Sequence, residues 1–397
     1  MTKLWNGCGD RWLCFALLLC FGSRTTCALA TEEPKESQPT AQEAAQPASD
    51  APVTGPKAEQ AATEQAPAEP AVAPAVEPKL SSGRPIVQVL DGLNHPTGLA
   101  IQPETSILYV ADSGNRQVIR VSGDKAEPVI TEFPSGNSIT DGANPASLSP
   151  GGPLSLLFLN RETLLVGCGA GVDGVASLRV YSLPADNAPI KADAAKTTLT
   201  LPTIESASPT GDFYALATSA NSIYATCIGG PSESWIASGT RNDLDVSALD
   251  RFINTLASVG VGNPAGATIS PHGYLVVGQA GQSNAATDSL LVFYDTSTKQ
   301  PLLKLPTGLY DVSSVAYSAR KHLYVLDRAK ANSAEAGLFR VLADKTGTTG
   351  MRADRVAWLP GPTAMVFDGE GALIVAVVGD GSSGQGKILK IPAEESL

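Results

Sequence analysis

One short motif recurs six times at intervals of about fifty residues, and that period limits the fold more than any other feature of the chain. LYVADSGN (108–115) is followed by LLVGCGAG (164–171), IYATCIGG (223–230), LVVGQAGQ (275–282), LYVLDRAK (323–330) and LIVAVVGD (373–380). Each copy is a run of β-formers entering a small or polar turn. The fifth letters are Asp112, Cys168, Cys227, Gln279, Asp327 and Val377, spaced by 56, 59, 52, 48 and 50 residues. A strand rich in small residues precedes each copy: HPTGLAI, GPLSLLF, DFYALAT, NPAGATI, DVSSVAY and GPTAMVF. A third strand usually follows (QVIRV, SLRVYSL, SLLVFYD, GLFRVLA, KILKIP), and then a fourth (EPVITEF, TTLTLP, PLLKLP, RVAWLP).

Four strands per unit, with small residues where six first strands would crowd around an axis, predict an all-β fold. It is a six-bladed β-propeller of four-stranded antiparallel blades. The sixth unit stops at Lys390–Pro392 without a fourth strand, and IVQVLDGL (86–93) stands before the first unit without a sheet. Pairing that orphan onto the last blade closes the ring and removes an open sheet edge, so the propeller is expected over residues 84–393.

Unit one, HPTGLAIQPETSILYVADSGNRQVIRV (95–121), resembles an NHL repeat: Pro-x-Gly-hydrophobic-Ala, a strand, Ala-Asp, a Gly-Asn turn and a basic residue. Unit five (313–341) resembles it in part, keeping Asp327 and Arg328 while stretching the turn; the other four keep only the strand pattern. The wider group of six-bladed propellers includes lactonases, amidating lyases, strictosidine synthase-like proteins and pure binding domains, so the resemblance implies a fold and leaves the activity open. Lactonases of this group hold a divalent metal with Glu, Asn and Asp near the channel, yet no first strand here contains Glu. The amidating lyases rely on zinc-bound histidines. Of the three histidines here, the repeat register puts His95 on one face and His272 and His322 on the other, so zinc catalysis is not expected.

The first 83 residues read differently. Lys3 and Arg11 precede the apolar run Trp12–Phe21 and the small-residue pattern Ala28–Ala30, which is the plan of a secretory signal peptide over residues 1–30. Leu19 and Thr26 stand where a lipoprotein signal would need a small residue before Cys20 or Cys27. Residues 31–83 are dominated by Ala, Pro, Glu, Gln and Thr and cannot bury enough surface to offset ordering, so a disordered acidic linker is expected. An exported protein, periplasmic or extracellular, follows. Of the net charge of −11, the part from residue 81 onward carries −7. That argues against nucleic acid or an anionic membrane as partner, and no apolar run in the mature chain is long enough for membrane insertion.

In a propeller the second-to-third-strand turns share a face with the blade-to-blade connections. That face gathers Asp112, Gln279 and Asp327 from the first set and His95, Asp212, Asn263 and Asp311 from the second. Asp112, Asn263, Gln279, Asp311 and Asp327 are therefore the candidate ligand-binding residues at the channel mouth, and their oxygens could hold Ca²⁺. The competing role for each Asp is to accept backbone N–H bonds in its own turn, and for Asp112 and Asp327 that role leads. For Arg116 a fastening role in the blade-one turn leads as well.

Cys168 and Cys227 hold equivalent places in adjacent blades. Equivalent side chains point the same way around a ring, so two buried thiols are expected rather than a disulfide. GSSGQGKI (381–388) has phosphate-loop spacing but lacks the Ser or Thr and the helix that such a loop needs, and reads as a hairpin turn. Unit three carries surplus residues. SWIASG and LDRFIN are both candidate third strands, while Leu249, Phe252, Ile253 and Leu256 equally suit a helix capped by Asp245. The polar stretch 135–152 also exceeds a simple connection.

No hydrolase, metalloprotease or haem motif occurs. The expected function is a binding module for a protein, glycan or small molecule, with no catalysis evident. The alternative is a metal-dependent, lactonase-like hydrolase with its site at the channel mouth.

Overall fold

The computed structural model describes residues 77–393 apart from 124, 137–150, 171–174, 204–210, 230–233, 243, 282–285, 346 and 348. The expected signal peptide, most of the linker and most of the 135–152 stretch lie outside the described residues. The rest is a ring of six sheets in the predicted order. Every first strand anticipated from the repeat forms: Pro96–Ile101, Pro153–Phe158, Asp212–Thr218, Pro264–Ile269, Val312–Tyr317 and Pro362–Phe367. Each pairs antiparallel with the motif strand that follows.

The motif strands run as near-continuous apolar stretches because both their faces are covered. Leu108–Asp112, Leu275–Gln279, Leu323–Asp327 and Leu373–Val377 are buried at every position. Their side chains fill six apolar layers, one between each pair of adjacent blades. The packing itself repeats. Tyr109 meets Phe158 of the next blade edge-on at 4.9 Å, and Tyr324 meets Phe367 of the next blade at 5.7 Å. Small residues on the first strands are required by approach. A Cβ on Gly98 would lie 2.6 Å from the Leu154 carbonyl oxygen, and one on Gly266 would lie 2.9 Å from Ser314 Cα.

The ring closes as expected. Val87–Leu93 pairs antiparallel with Gly386–Ile391 as the outer strand of blade six. The folded part begins earlier than the expected boundary at residue 84: Lys79–Leu80 adds a fifth strand to blade five, against Met351–Trp358. Leu80 is buried there and the Lys79 ammonium sits over the Trp358 ring at 5.0 Å. Ile190–Lys191 likewise covers the outer edge of blade one, in parallel pairing.

Blade three resolves its own ambiguity. Ser234–Arg241 and Val246–Asn254 are its third and fourth strands, so both candidate segments are strands and, of the two open alternatives, the strand holds Leu249, Phe252 and Ile253. Its alternative apolar spacing is spent on a sheet that already had an edge to extend. A single helical turn, Thr255–Val259, follows and is capped by Asn254, whose side chain accepts the Ala257 N–H. Cys168 and Cys227 are buried and unbonded. Cys168 packs in the layer between blades one and two and Cys227 in that between two and three. Burial pushes the Cys168 thiol up to about 12.

Candidate functional site

One local irregularity shapes the channel mouth. Each first strand slips register near its start, at Pro96/Gly98, Pro153/Ser155, Phe213/Ala215, Pro264/Gly266, Val312/Ser314 and Pro362/Ala364. Such a bulge takes one residue out of the ladder and re-aims it. The residues released are Thr97, Leu154, Tyr214, Ala265, Ser313 and Thr363, and all but Leu154 line a cavity of about 70 Å³. Three of their hydroxyls also tie blades together. Thr97 donates to Pro153 O (3.4 Å), Ser313 to Pro362 O (2.9 Å) and Thr363 to Pro96 O (2.7 Å), the last joining the final blade to the first.

Blade five supplies the charge. Its second-to-third-strand turn, residues 328–336, carries Arg328 and Lys330 into the cavity wall beside Asp311. Asp327 fixes this arrangement. Its carboxylate accepts the backbone N–H groups of Tyr310 (3.0 Å), Asp311 (2.7 Å) and Ala329 (3.1 Å), which clamps the turn to the incoming blade connection. Asp311 completes the clamp: its carbonyl accepts the Arg328 N–H at 2.9 Å and its Oδ2 accepts the Lys330 N–H at 2.9 Å. Neither the Arg328 guanidinium nor the Lys330 ammonium makes a hydrogen bond or an ion pair with another described residue.

Burial governs the electrostatics. It lowers Arg328, against the opposing influence of Tyr214 and Asp311. Lys330 falls to about 7, first through burial and then through the neighbouring Arg328 charge, with Asp311 acting the other way. Asp311 and Asp327 are raised by burial, although the backbone N–H groups they accept pull them down. Tyr214 is raised well above its ordinary value by burial and by Asp212, whose carboxylate accepts its hydroxyl at 3.4 Å. His95 is lowered by burial and by Arg328, so it stands on the same face of the ring.

The structure separates the five sequence candidates. Asp311 lines the cavity; Asp112, Asn263, Gln279 and Asp327 do not. Asp112 accepts the side-chain amides of Asn115 (2.7 Å) and Gln117 (3.0 Å) in blade one and the Asn94 N–H (2.8 Å) of the connection arriving from blade six. Asn263 has a left-handed backbone (φ 58°) and donates its amide to Gly281 O at 2.6 Å. Gln279 is buried and donates to the Tyr294 hydroxyl at 3.2 Å. Arg116 is exposed and fastens through its backbone, with φ 55° and its carbonyl accepting the Phe133 N–H at 3.2 Å. Of residues 381–388, the first five lie in the hairpin turn between Leu373–Val377 and Gly386–Ile391, and the last three open the second of these strands. Among the described residues no three His, Cys, Asp or Glu side chains group as metal ligands would.

Tyr214, Arg328 and Lys330 were not among the candidates. Tyr214 is legible from the repeat register, since it occupies the position of Thr97, Ala265, Ser313 and Thr363 and is the one aromatic there. Lys330 has no counterpart in the other motifs, and only the stretched turn of unit five hints at it.

No family model and no curated protein matches the chain by sequence. Solved structures do match it in fold. A glucose dehydrogenase aligns at 16% identity over 78% of this chain and 100% of its own, with a TM-score of 0.52. The pyrroloquinoline quinone (PQQ)-bound aldose sugar dehydrogenase of Streptomyces coelicolor aligns at 14% over 79% and 97%, TM-score 0.52. A luciferin-regenerating enzyme aligns at 10% over 80% and 96%, TM-score 0.50. At these identities the likeness establishes the six-bladed fold, and the site has to be read from this chain's own residues.

Proposed function

We propose that this chain is an exported propeller that binds a small anionic ligand at the channel mouth, with the blade-five turn as the recognition element. One observation carries the reading: Arg328 and Lys330 enter the same cavity wall, and among the described residues no carboxylate is bonded to either cation, Asp311 acting on them only through its charge. Asp327, which might have neutralised them, is already occupied by three backbone N–H groups. A carboxylate-bearing ligand supplies the missing partner for a planar guanidinium, while Tyr214 and the Thr97, Ser313 and Thr363 hydroxyls offer further polar contacts. The NHL-like features of units one and five agree with a binding propeller, and residues 1–30 support export.

Ca²⁺ at this mouth is the weaker alternative, because the cavity wall carries two cations and the Asp112 and Asp327 carboxylates are occupied by N–H groups of their turns and of the incoming blade connections. The sugar dehydrogenases that share the fold are enzymes, and their chemistry remains their own.

Titration calorimetry with pyruvate, oxalate, acetate and inorganic phosphate tests the reading. The expected result is binding of at least one carboxylate, weakened roughly tenfold or more in Arg328→Met. Binding that is absent for every anion, or unchanged in Arg328→Met, overturns it.

A further inference from the structure

A cation that serves only to attract an anion works best when fully charged, and Lys330 is placed where an ammonium is poorly supported. It shares the cavity wall with Arg328, while Asp311 meets it through the backbone N–H of Lys330 at 2.9 Å rather than through the ammonium. Ile228, Ala265, Ala280 and Val312 make part of the same cavity wall apolar, and the Thr97, Ser313 and Thr363 hydroxyls there already donate to backbone carbonyls of neighbouring blades. An amine beside a fixed cation in a partly apolar pocket is the arrangement that makes a lysine nucleophilic at neutral pH.

We propose that Lys330 forms a reversible Schiff base with the carbonyl carbon of a small 2-oxo acid whose carboxylate is held by Arg328. This rests on the anion-binding reading and adds the ligand class to it. The neutral amine of Lys330 attacks the carbonyl carbon and a C–N bond forms as the C=O π pair moves to oxygen. The nitrogen then gives up one proton and the oxygen takes up one, leaving a neutral carbinolamine whose nitrogen lone pair is free. The C–O bond then breaks as that oxygen accepts a second proton and leaves as water. The nitrogen lone pair forms the C=N bond of a protonated imine. One proton is consumed per adduct, no oxidant or reductant takes part, and hydrolysis reverses every step. Asp311 is placed to supply the proton: burial raises its carboxyl, and its side chain is already fixed at the Lys330 backbone. The charged and titratable groups facing Lys330 are Arg328 and Asp311, with Tyr214 across the cavity. The burial and charge that bring Lys330 to about 7 keep a large share of it neutral near pH 7.

Reductive trapping tests this on the intact protein. Pyruvate and sodium cyanoborohydride are added to the wild-type chain, and the adduct is located by peptide mass spectrometry. The expected result is one dominant adduct on Lys330, with the exposed Lys321 and Lys345 serving as internal controls. Trapping should rise with pH through about 7. It should be lost in Lys330→Arg, which retains the cation. It should fall more steeply for pyruvate than for acetaldehyde in Arg328→Met, because acetaldehyde has no carboxylate to hold. Pyruvate that binds by calorimetry but leaves no adduct on Lys330, or an adduct spread evenly over the control lysines, overturns the Schiff base and spares the anion site. No binding of any carboxylate overturns both.

Discussion

Blades one and five begin alike and end differently. Both close their second strand on a buried aspartate, Asp112 and Asp327, each about 1% exposed. In blade one the chain reaches the third strand through residues 113–116, a single tight turn. Asp112 is satisfied by one backbone N–H and two side-chain amides close at hand, and the turn's only cation, Arg116, faces solvent. In blade five the chain takes residues 328–336 to make the same journey. The start of the added length is pinned because Asp327 accepts the Ala329 N–H within the turn and the Tyr310 and Asp311 N–H groups of the incoming connection, and Asp311 accepts that of Lys330. The same aspartate therefore finishes a repeat in one blade and anchors a charged arm in the other. On the reading proposed above, a repeat position becomes free to take up a ligand where the turn after it is lengthened and the repeat's own aspartate holds the excess.

The largest expected effect follows from the number of donors left without a partner. Asp327→Ala strands three N–H groups, two of them buried, and should cost about 4 kcal/mol in urea unfolding, whereas Asp112→Ala should cost about 2 kcal/mol because Asn115 and Gln117 can turn to water. Equal losses would erase the distinction between the two turns. Thr363→Val removes the hydroxyl that donates across the closure to Pro96 O and should lower stability by about 1 kcal/mol. The same change at Thr97, whose bond to Pro153 O is longer at 3.4 Å, should cost less.

The pH dependence has a definite sign. Asp311 and Asp327 are raised in the folded state by burial, so they stabilise the fold most below the ordinary carboxylate range and lose that contribution as pH rises through their raised values. Unfolding midpoints should drift downward as pH climbs from about 4, and Asp311→Asn should flatten the drift. A drift unchanged in Asp311→Asn would remove the blade-five pair as its source. The smallest effect concerns the thiols: reductant should leave the melting temperature unchanged, since Cys168 and Cys227 lie in different inter-blade layers. A lower melting temperature under reductant would mean that they are bonded.

The fold was legible because a propeller repeats its constraints. Six apolar runs buried on both faces, six small-residue strands and one orphan strand leave few other closed arrangements. The structural roles of Asp112 and Asp327 were also readable, since an Asp at the end of a strand commonly serves its own turn. The arm at Arg328 and Lys330 was not, because a motif reports where a turn starts and says little of where a longer turn goes. Tyr214 was hidden by the loss of the Pro-x-Gly pattern in blade three, and only superposing the six first strands reveals that it stands at the bulge. Blade three left strand and helix open over Leu249, Phe252, Ile253 and Leu256 for the opposite reason: the apolar spacing suited either, and the neighbouring strand edge claimed the first three.

The central claim is that function resides in the lengthened turn and not in its compact twin. Calorimetric titration of pyruvate into the wild-type chain, Arg328→Met and Arg116→Met tests it most directly. The account predicts that Arg116→Met binds as the wild type does while Arg328→Met loses roughly tenfold or more. Binding that survives in Arg328→Met and falls in Arg116→Met would contradict it.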